Sequence, residues 1–576
     1  MSEVNGGELL ARTLADAGVT HAFGVHGGHL DALLVSMSRR GITLVDTRHE
    51  AAAGHAAQAY ATATGGLGVA FCTSGPGFTN AFTAMANAHL DRTPVLFLTS
   101  SAPLREAELN VLQSGIDQVA AARTVTRWAV QAARVARIPD LAAQAIRRAH
   151  GGVPGPVLLD VPIDVMFRSM QESLAPRPRT FRVPPAAPSR ESVAAVADVL
   201  RQAERPVIVL GAGASRSPGA REALEALGKA TGIPMVSTSG GLGVLPTSSP
   251  ARLGGVTELA VLQHIGKTPD AILLLGARQG IQTNGRSSAV IPEGAAVVHV
   301  DVDPAELGRM SSPEVAVAAD VAQFAIELTA AVDGDGAVDF TDWNADSRQA
   351  AGLAALMWAD ARPVTESGRI HPYVAAAEIW KALAEDDVVT ADGGESSGWI
   401  AAGARAQRPG DYQGIGRRGG LGIGTGFSIG LSFARPGQRV VGVTGDGALG
   451  FNIAEWDTMV RHRLPVTTVV MNNLGWGMSF HGQDAIYGDG NRVVSDLPDT
   501  RYDQIAAGFG LHAERVERAE DIGPALRRAK DSGGPACVDI AVAPEIVHPM
   551  MQPLSQPLAD GAIRIPYYEP IPDGEA

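Results

Sequence analysis

The stretch RVVGVTGDGALGFNIAEWDTMVRHRLPVTTVVMNN, residues 439–473, decides how the chain is read. A β-branched run, RVVGVT, ends in Gly445-Asp446-Gly447. A segment of helical period follows, and a second run, PVTTVVM, ends in Asn472-Asn473. Continuous apolar strands on either side of a helix belong to a parallel sheet covered on both faces. In such a sheet both strand ends lie on one edge, where ligands bind. Asp446 and Asn473 can therefore converge although 27 positions separate them. A carboxylate, an amide oxygen and a free loop carbonyl are hard donors that suit Mg²⁺ or Ca²⁺ shared with phosphate oxygens. The glycines let backbone N–H groups approach the phosphate, and the following helix presents its positive end. A lone GDG is only a common turn. GDG followed after 24 residues by NN, each at a strand end, is far more specific.

The same layout stands near the other end of the chain. VAFCTSGPGFTNAFTAMANAHLDRTPVLFLTSS (69–101) again runs strand, Thr, Gly-rich turn, helix, stop and strand. Thr73 to Pro94 spans 21 positions, as does Thr444 to Pro465, which predicts two outer domains of one topology. Further apolar runs at 42–47, 206–211, 271–276 and 296–303 alternate with Ala-rich helical segments. The class is α/β, with three doubly wound parallel-sheet domains. Residues 169–190, rich in Pro and Arg, and 333–369, acidic and Gly-containing, read as linkers. The expected division is 1–168, 190–332 and 369–545, followed by a Pro-rich tail, 546–576. That tail also carries Met550, Met551, Leu554, Ile563, Ile565, Tyr567 and Tyr568, which suits packing on the body, over a site, better than pure disorder. In the middle segment PVIVLGAGASRS has G-x-G without the third glycine or a clear acidic partner, so it reads as a structural turn.

Composition narrows the function. The 576 residues exceed what one core supports. Acids outnumber bases 61 to 47, which disfavours nucleic acid as a partner. The opening MSEVNGGELLARTL lacks the pattern of a secretory signal, and no apolar run of about 18 residues suggests a membrane span. Cys72 and Cys537 cannot form a disulfide framework and read as small buried hydrophobes in a reducing cytoplasm. Glycine is abundant, at 67 residues, and aromatics make up only 5 %. Two more Gly-rich turns, Gly393-Gly394-Glu395-Ser396 after VVTAD and GRRGGLGIGTG at 416–426, add backbone to a possible phosphate site.

GDG-x24-NN, with related outer domains around a middle one, resembles the thiamine-diphosphate (ThDP) enzymes. Within that superfamily GGELLARTLADAGVTHAFGVHGGHLD (6–31), DTRHEAAAGHAAQAYA (46–61) and NVLQSGIDQVA (110–120) are similar to the benzaldehyde lyases. The resemblance runs along nearly the whole chain and is weakest in the middle domain and the tail. It implies a pyrimidine-binding first domain, a diphosphate-binding third domain, and the cofactors ThDP and Mg²⁺. Asp446, Asn473 and Gly475 match the metal positions. Thr73, Gly393, Gly394, Glu395, Ser396, Gly419, Gly420, Leu421, Gly445, Gly447, Ala448, Trp476 and Gly477 match positions around the cofactor, with Leu421 as the apolar wedge beneath its bend. Glu50 matches the acid that serves the aminopyrimidine; by itself it would read as a first-turn helix glutamate. Thr73 and Ser74 would likewise read as helix N-caps. His29 and Gln113 match the acid/base and alkoxide-binding residues, and His26, Gly28, Leu112, Ile163, Ser397, Met478 and Gly482 match the substrate pocket. His26 and His29 are spaced to share a metal, but no third ligand is evident. His26 also reads as a satisfied structural histidine.

The resemblance implies carbon–carbon cleavage or ligation of 2-hydroxy ketones through an enamine intermediate, on a small-molecule aldehyde or hydroxy ketone. It also implies an oligomer, at least a dimer and usually a tetramer, because Glu50 and the metal site meet across subunits in the family. The sequence departs from the benzaldehyde lyases at the pocket. Ile163, Ser397 and Gly482 replace aromatic residues, Met478 replaces a small alanine, and Gly28 replaces another. These changes argue against a benzoin-type substrate and suit an aliphatic acyl group or a longer substrate entering past Ser397 and Gly482. Arg417 and Arg418 read equally as an anion contact or as solvated surface. A 2-hydroxyacyl-CoA lyase, a 2-oxoacid decarboxylase and an acetolactate-synthase-like carboligase are the alternative activities, and a homologue without turnover is disfavoured by the intact Glu50, Asp446 and Asn473.

Overall fold

All eight apolar runs that read as strands are strands in the computed structural model. The structure describes residues 2–554 except 281–282, 284–287, 289, 334–336, 359 and 489, together with Leu558 and Ala562. Seven of the runs are buried over almost their entire length, as in Gly68–Cys72, Val95–Thr99 and Ala271–Leu275, whereas the edge strand Thr43–Asp46 buries only Val45. Strands covered on both faces need Val, Ile, Leu and Ala at every position rather than at alternate ones. Two compact units make up the chain.

The first unit comprises residues 1–357, 405–418 and 433–436. Its first sheet is formed by β1 (His21–Gly24), β2 (Thr43–Asp46), β3 (Gly68–Cys72), β4 (Val95–Thr99), β5 (Trp128–Gln131) and β6 (Val157–Asp160). All are parallel, in the order β2-β1-β3-β4-β6-β5. Helix α1 (Glu50–Thr64) is Ala-rich, and its small side chains let α2 (Pro76–Leu90) lie close against it, with Gly54 beside Ala84. The second sheet holds β7 (Pro206–Leu210), β8 (Met235–Ser237), β9 (Arg252–Gly255), β10 (Ala271–Leu275), β11 (Ala296–Asp301) and β12 (Val315–Ala318). Its order is β9-β8-β7-β10-β11-β12, again parallel. Arg92, at the end of α2, reaches the edge of the second sheet and pairs with Asp301 (3.2 Å), Asp303 (2.6 Å) and Glu306 (2.8 Å).

Gly211 and Gly213 follow β7 and pack directly on the Gly276–Ala277 backbone. That close approach accounts for the G-x-G pair. Residues 333–369 are more than a tether: Phe340, Trp343 and Ala350 join the middle core, and the Trp343 indole donates to the Pro206 carbonyl at 2.9 Å. In the other linker, Ser169–Gln171 pairs antiparallel with Glu3–Asn5, and residues 175–189 carry no regular structure.

Five strands of a third sheet lie in the second unit: β13 (Val388–Asp392), β14 (Val440–Gly445), β15 (Val466–Asn472), β16 (His512–Val516) and β17 (Ala536–Ala541). They run parallel in the order β13-β14-β15-β17-β16. Removing edge strand β2 from the first sheet leaves the same order of first, second, third, fifth and fourth. The outer sheets thus share a topology that the middle sheet does not. After β17 the chain folds back over this unit, where His548 stands 4.4 Å from Trp399, ring to ring, and Met551 is buried. Ile563, Ile565, Tyr567 and Tyr568 lie outside the described residues. Cys72 and Cys537 are both free and buried. No helix among the described residues is long and apolar enough to cross a membrane.

Candidate active site

In the first unit the functional side chains gather at the carboxyl edge of the first sheet, where β1, β2 and β3 release their loops. Glu50 opens α1 and is buried, because the helix start turns it inward beside the glycine turn after β3. Its Oε2 accepts a hydrogen bond from Asn80 Nδ2 on α2, at 3.0 Å. A Cβ on Gly77 would stand 3.0 Å from Thr73 Cγ2 and 3.2 Å from Glu50 Oε1, so only a glycine lets these two side chains meet there. Thr73 Oγ1 in turn lies 3.5 Å from Gln113 Oε1, and Ser74 Oγ donates to the Gln113 carbonyl at 2.9 Å. Gln113 has φ +60°, a left-handed conformation that non-glycine residues adopt at a cost.

Glu50, Thr73 and Gln113 therefore form one contiguous group. His29 stands in the turn Gly28–Leu30, half-buried, and burial holds its imidazole below the usual histidine range. No hydrogen bond among the described residues joins it to that group. His26 is exposed and pairs with Asp31 at 2.9 Å. Leu112 is 78 % exposed in this chain, Ile163 is half-buried, and a Cβ on Gly28 would find open space but for Asp31. Arg418 donates to the Thr83 carbonyl and the Arg417 backbone N–H to Asp91 Oδ1.

The second unit builds a cation-type site from β14 and β15. Asp446 is buried, and burial pushes its carboxyl up to about 7 even though Oδ1 accepts from the Gly447 N–H and Oδ2 from the Gly475 N–H. One terminal atom of the Asn473 amide lies 3.1 Å from Asp446 Oδ1 and 2.9 Å from the Gly475 carbonyl. Without a cation that atom is the NH₂, donating to both. A hard divalent cation would be held by Asp446, the Gly475 carbonyl and, with the amide turned over, the Asn473 oxygen, a donor set that fits such an ion. Among the described residues no group of three or more His, Cys, Asp or Glu forms a metal cluster.

The turn after β13 abuts this site. Ser396 Oγ donates to the Asp392 carbonyl at 2.7 Å and lies next to Gly445. The Trp476 ring lies against Gly447, and Met478 packs on Gly394, its Sδ 2.5 Å from where a Cβ would stand. Ser397 is buried, its Oγ without a hydrogen-bond partner. Gly482 is buried; Gly420 and Leu421 are half-buried.

Two residues here were not singled out from the sequence. Asp392, buried at the end of β13, accepts from the Gly393, Gly422 and Gly424 N–H groups at 2.7, 3.2 and 2.8 Å, while burial pushes its carboxyl up to about 6. It ties the 393–394 turn to the 422–424 turn, and the signal was an acid closing VVTAD directly before two glycines. His481 bonds Glu395 at 2.7 Å and was hidden among the residues of helix α3 (Gly477–Tyr487).

Residues 4–121 match the family described as thiamine pyrophosphate enzyme, N-terminal TPP binding domain; residues 193–328 match its central domain and 392–540 its C-terminal TPP binding domain. The chain belongs to the thiamine pyrophosphate enzymes. It is similar to the acetolactate synthase large subunit of Mycobacterium tuberculosis, 32 % identical over 552 residues, covering 95 % of this chain and 97 % of that protein. Escherichia coli acetolactate synthase isozyme 1 large subunit is 30 % identical, covering 95 % and 96 %. Human 2-hydroxyacyl-CoA lyase 2 is 28 % identical, covering 93 % and 90 %. These relatives are named as acetolactate synthases and a 2-hydroxyacyl-CoA lyase, and they do not single out benzaldehyde lyase.

Proposed function

We propose that this thiamine pyrophosphate enzyme is a carbon–carbon lyase and carboligase that breaks or makes the bond between a carbonyl carbon and a hydroxyl-bearing carbon. The observation that carries this is the grouping of Glu50, Thr73 and the strained Gln113. A carboxamide beside a buried carboxyl suits a neutral hydroxyl or carbonyl oxygen, because it can donate to an alkoxide and accept from an alcohol. When bound, ThDP supplies the nucleophilic carbon and the electron sink. Glu50, buried and held by Asn80, is the carboxyl placed for proton transfer. Gln113 orients the substrate oxygen, and His29, held neutral at pH 7, is the base that takes the hydroxyl proton.

Mg²⁺ is the cation for Asp446, the Asn473 amide oxygen and the Gly475 carbonyl. The turns at 393–396, 419–421, 445–448 and 475–477 take the diphosphate side of the cofactor, and residues 1–168 the pyrimidine side. Glu50 of one copy serves the cation site of a second, so the working form is at least a dimer and the tetramer is its expected extension.

Acyloins are one substrate class for this chemistry. The names of the relatives weigh more toward 2-hydroxyacyl-CoA cleavage or acetolactate-type ligation, and the pocket residues Ile163, Ser397 and Gly482, without aromatic walls, agree with an aliphatic or extended substrate. The test is turnover with ThDP and Mg²⁺ on a panel of aldehydes, acyloins, 2-hydroxyacyl-CoA thioesters and 2-oxoacids. Cleavage of acyloins or 2-hydroxyacyl thioesters is the expected result. Turnover of 2-oxoacids alone would overturn the lyase assignment.

A further inference from the structure

His481, on α3, is buried between two acceptors. Nδ1 lies 2.7 Å from Glu395 Oε1 and Nε2 lies 2.9 Å from the Pro544 carbonyl oxygen. A carbonyl only accepts, so Nε2 carries a proton. Nδ1 then either donates a second proton to a carboxylate or accepts one from a carboxylic acid. Both states are electrically neutral. Of the two remaining states, an ionised carboxylate facing a bare ring nitrogen sets a lone pair against a buried anion, and a protonated ring beside a carboxylic acid leaves a buried cation without a counter-charge; both are disfavoured.

The other oxygen of Glu395 faces the cation-type site. Oε2 makes no hydrogen bond among the described residues. A Cβ on Gly477 would stand 2.9 Å from that oxygen and 2.8 Å from the other terminal atom of the Asn473 amide, so the carboxyl and the amide are separated by little more than a missing methyl group. Ser396, next in the chain, lies against Gly445, the residue before Asp446. A second uncompensated carboxylate at this place would repel a diphosphate, because charges in a dry site are poorly screened.

We propose that His481 makes Glu395 compatible with a diphosphate ligand: the imidazole neutralises the carboxylate, and retention of ThDP depends on that charge balance. This rests on the reading of 393–396, 445–447 and 473–477 as the diphosphate and cation turns. His481 is thus a positioning and charge-compensating residue that acts through Glu395.

The experiment is titration of the full-length apoprotein with ThDP at saturating Mg²⁺, followed by calorimetry, for wild type, His481→Gln and Glu395→Gln/His481→Gln. Loss of an ionic partner predicts that H481Q binds ThDP about tenfold or more weakly. Removing the carboxylate as well returns affinity to within about threefold of wild type, which loss of packing at His481 would not do. Wild-type affinity in H481Q, or a double variant as weak as H481Q, overturns the proposal. Absence of ThDP binding by wild type overturns the cofactor reading itself, a separate outcome. Should H481Q lose its thermal unfolding transition, E395Q is compared with the double variant: equal affinities support charge compensation, and a double variant about tenfold weaker than E395Q overturns it.

Discussion

The amide of Asn80 donates to Glu50 Oε2 across 3.0 Å, joining the starts of two neighbouring helices at the edge of the first sheet. Asn80 satisfies one carboxyl oxygen and leaves Oε1 facing Gly77 and Thr73. Replacing Glu50 with Gln keeps the size and removes the transferable proton. Turnover falls by roughly 100- to 10,000-fold, while ThDP binding, read by calorimetry, stays within about tenfold of wild type. Unchanged ThDP-dependent turnover in Glu50→Gln would remove Glu50 from the mechanism.

Gln113 combines a left-handed backbone with a side chain placed at Thr73. Glycine relieves that strain, worth about 1 kcal/mol, against a similar cost from its freer unfolded chain. Gln113→Gly is therefore expected to melt within a few degrees of wild type while kcat/KM drops about tenfold or more. Thermal scans paired with steady-state kinetics separate the two effects. A large loss of stability with activity retained would mean that Gln113 is purely a loop anchor.

Met478 lies on Gly394 and, in the pocket proposed above, would narrow the wall. Shortening it in Met478→Ala opens room for a ring. The ratio of kcat/KM for aromatic over aliphatic substrates rises roughly tenfold or more, the scale set by one or two methylenes in an apolar pocket. An unchanged ratio on the substrate panel would place Met478 outside the pocket.

His548 gives the chain a response to acid. Burial pushes its imidazole down to about 4, against an ordinary value near 6.5. The undocked segment therefore takes up a proton at a higher pH than the docked one. Docking is fully favourable above about pH 6.5 and weakens as pH falls toward 4, by up to roughly 3 kcal/mol. The protection factors of residues 544–551, which take account of the slower intrinsic exchange of amides in acid, should fall across that window, and His548→Gln should flatten the dependence. Protection factors that stay level between pH 7 and pH 4.5 in the wild type would contradict the linkage.

Much of the fold was legible because apolar strands buried on both faces leave unbroken runs such as AILLL, and because the equal Thr-to-Pro spacing of the outer domains reflects a shared strand order. Trp343 was less legible. Its polar helix, TDWNADS, gives no sign that one indole enters the middle core. Motif spacing located Asp446 and Asn473, since the ends of adjacent parallel strands must be neighbours. His481 and Asp392 escaped it because the Pro544 carbonyl and three backbone N–H groups have no signature in side-chain sequence, and because Glu395 stands 86 positions from His481. Residue resemblance pointed to Gln113, but its left-handed backbone is visible only in three dimensions.

Asp392 grips main-chain N–H groups alone, and this has a bearing on how the glycine turns can change over time. Because no side chain at 419–424 takes part in the grip, Leu421 can be exchanged without unfastening the loop that carries it. The loop's course and its chemistry are thus separately adjustable: a substitution at Leu421 alters what the loop presents without altering where it runs.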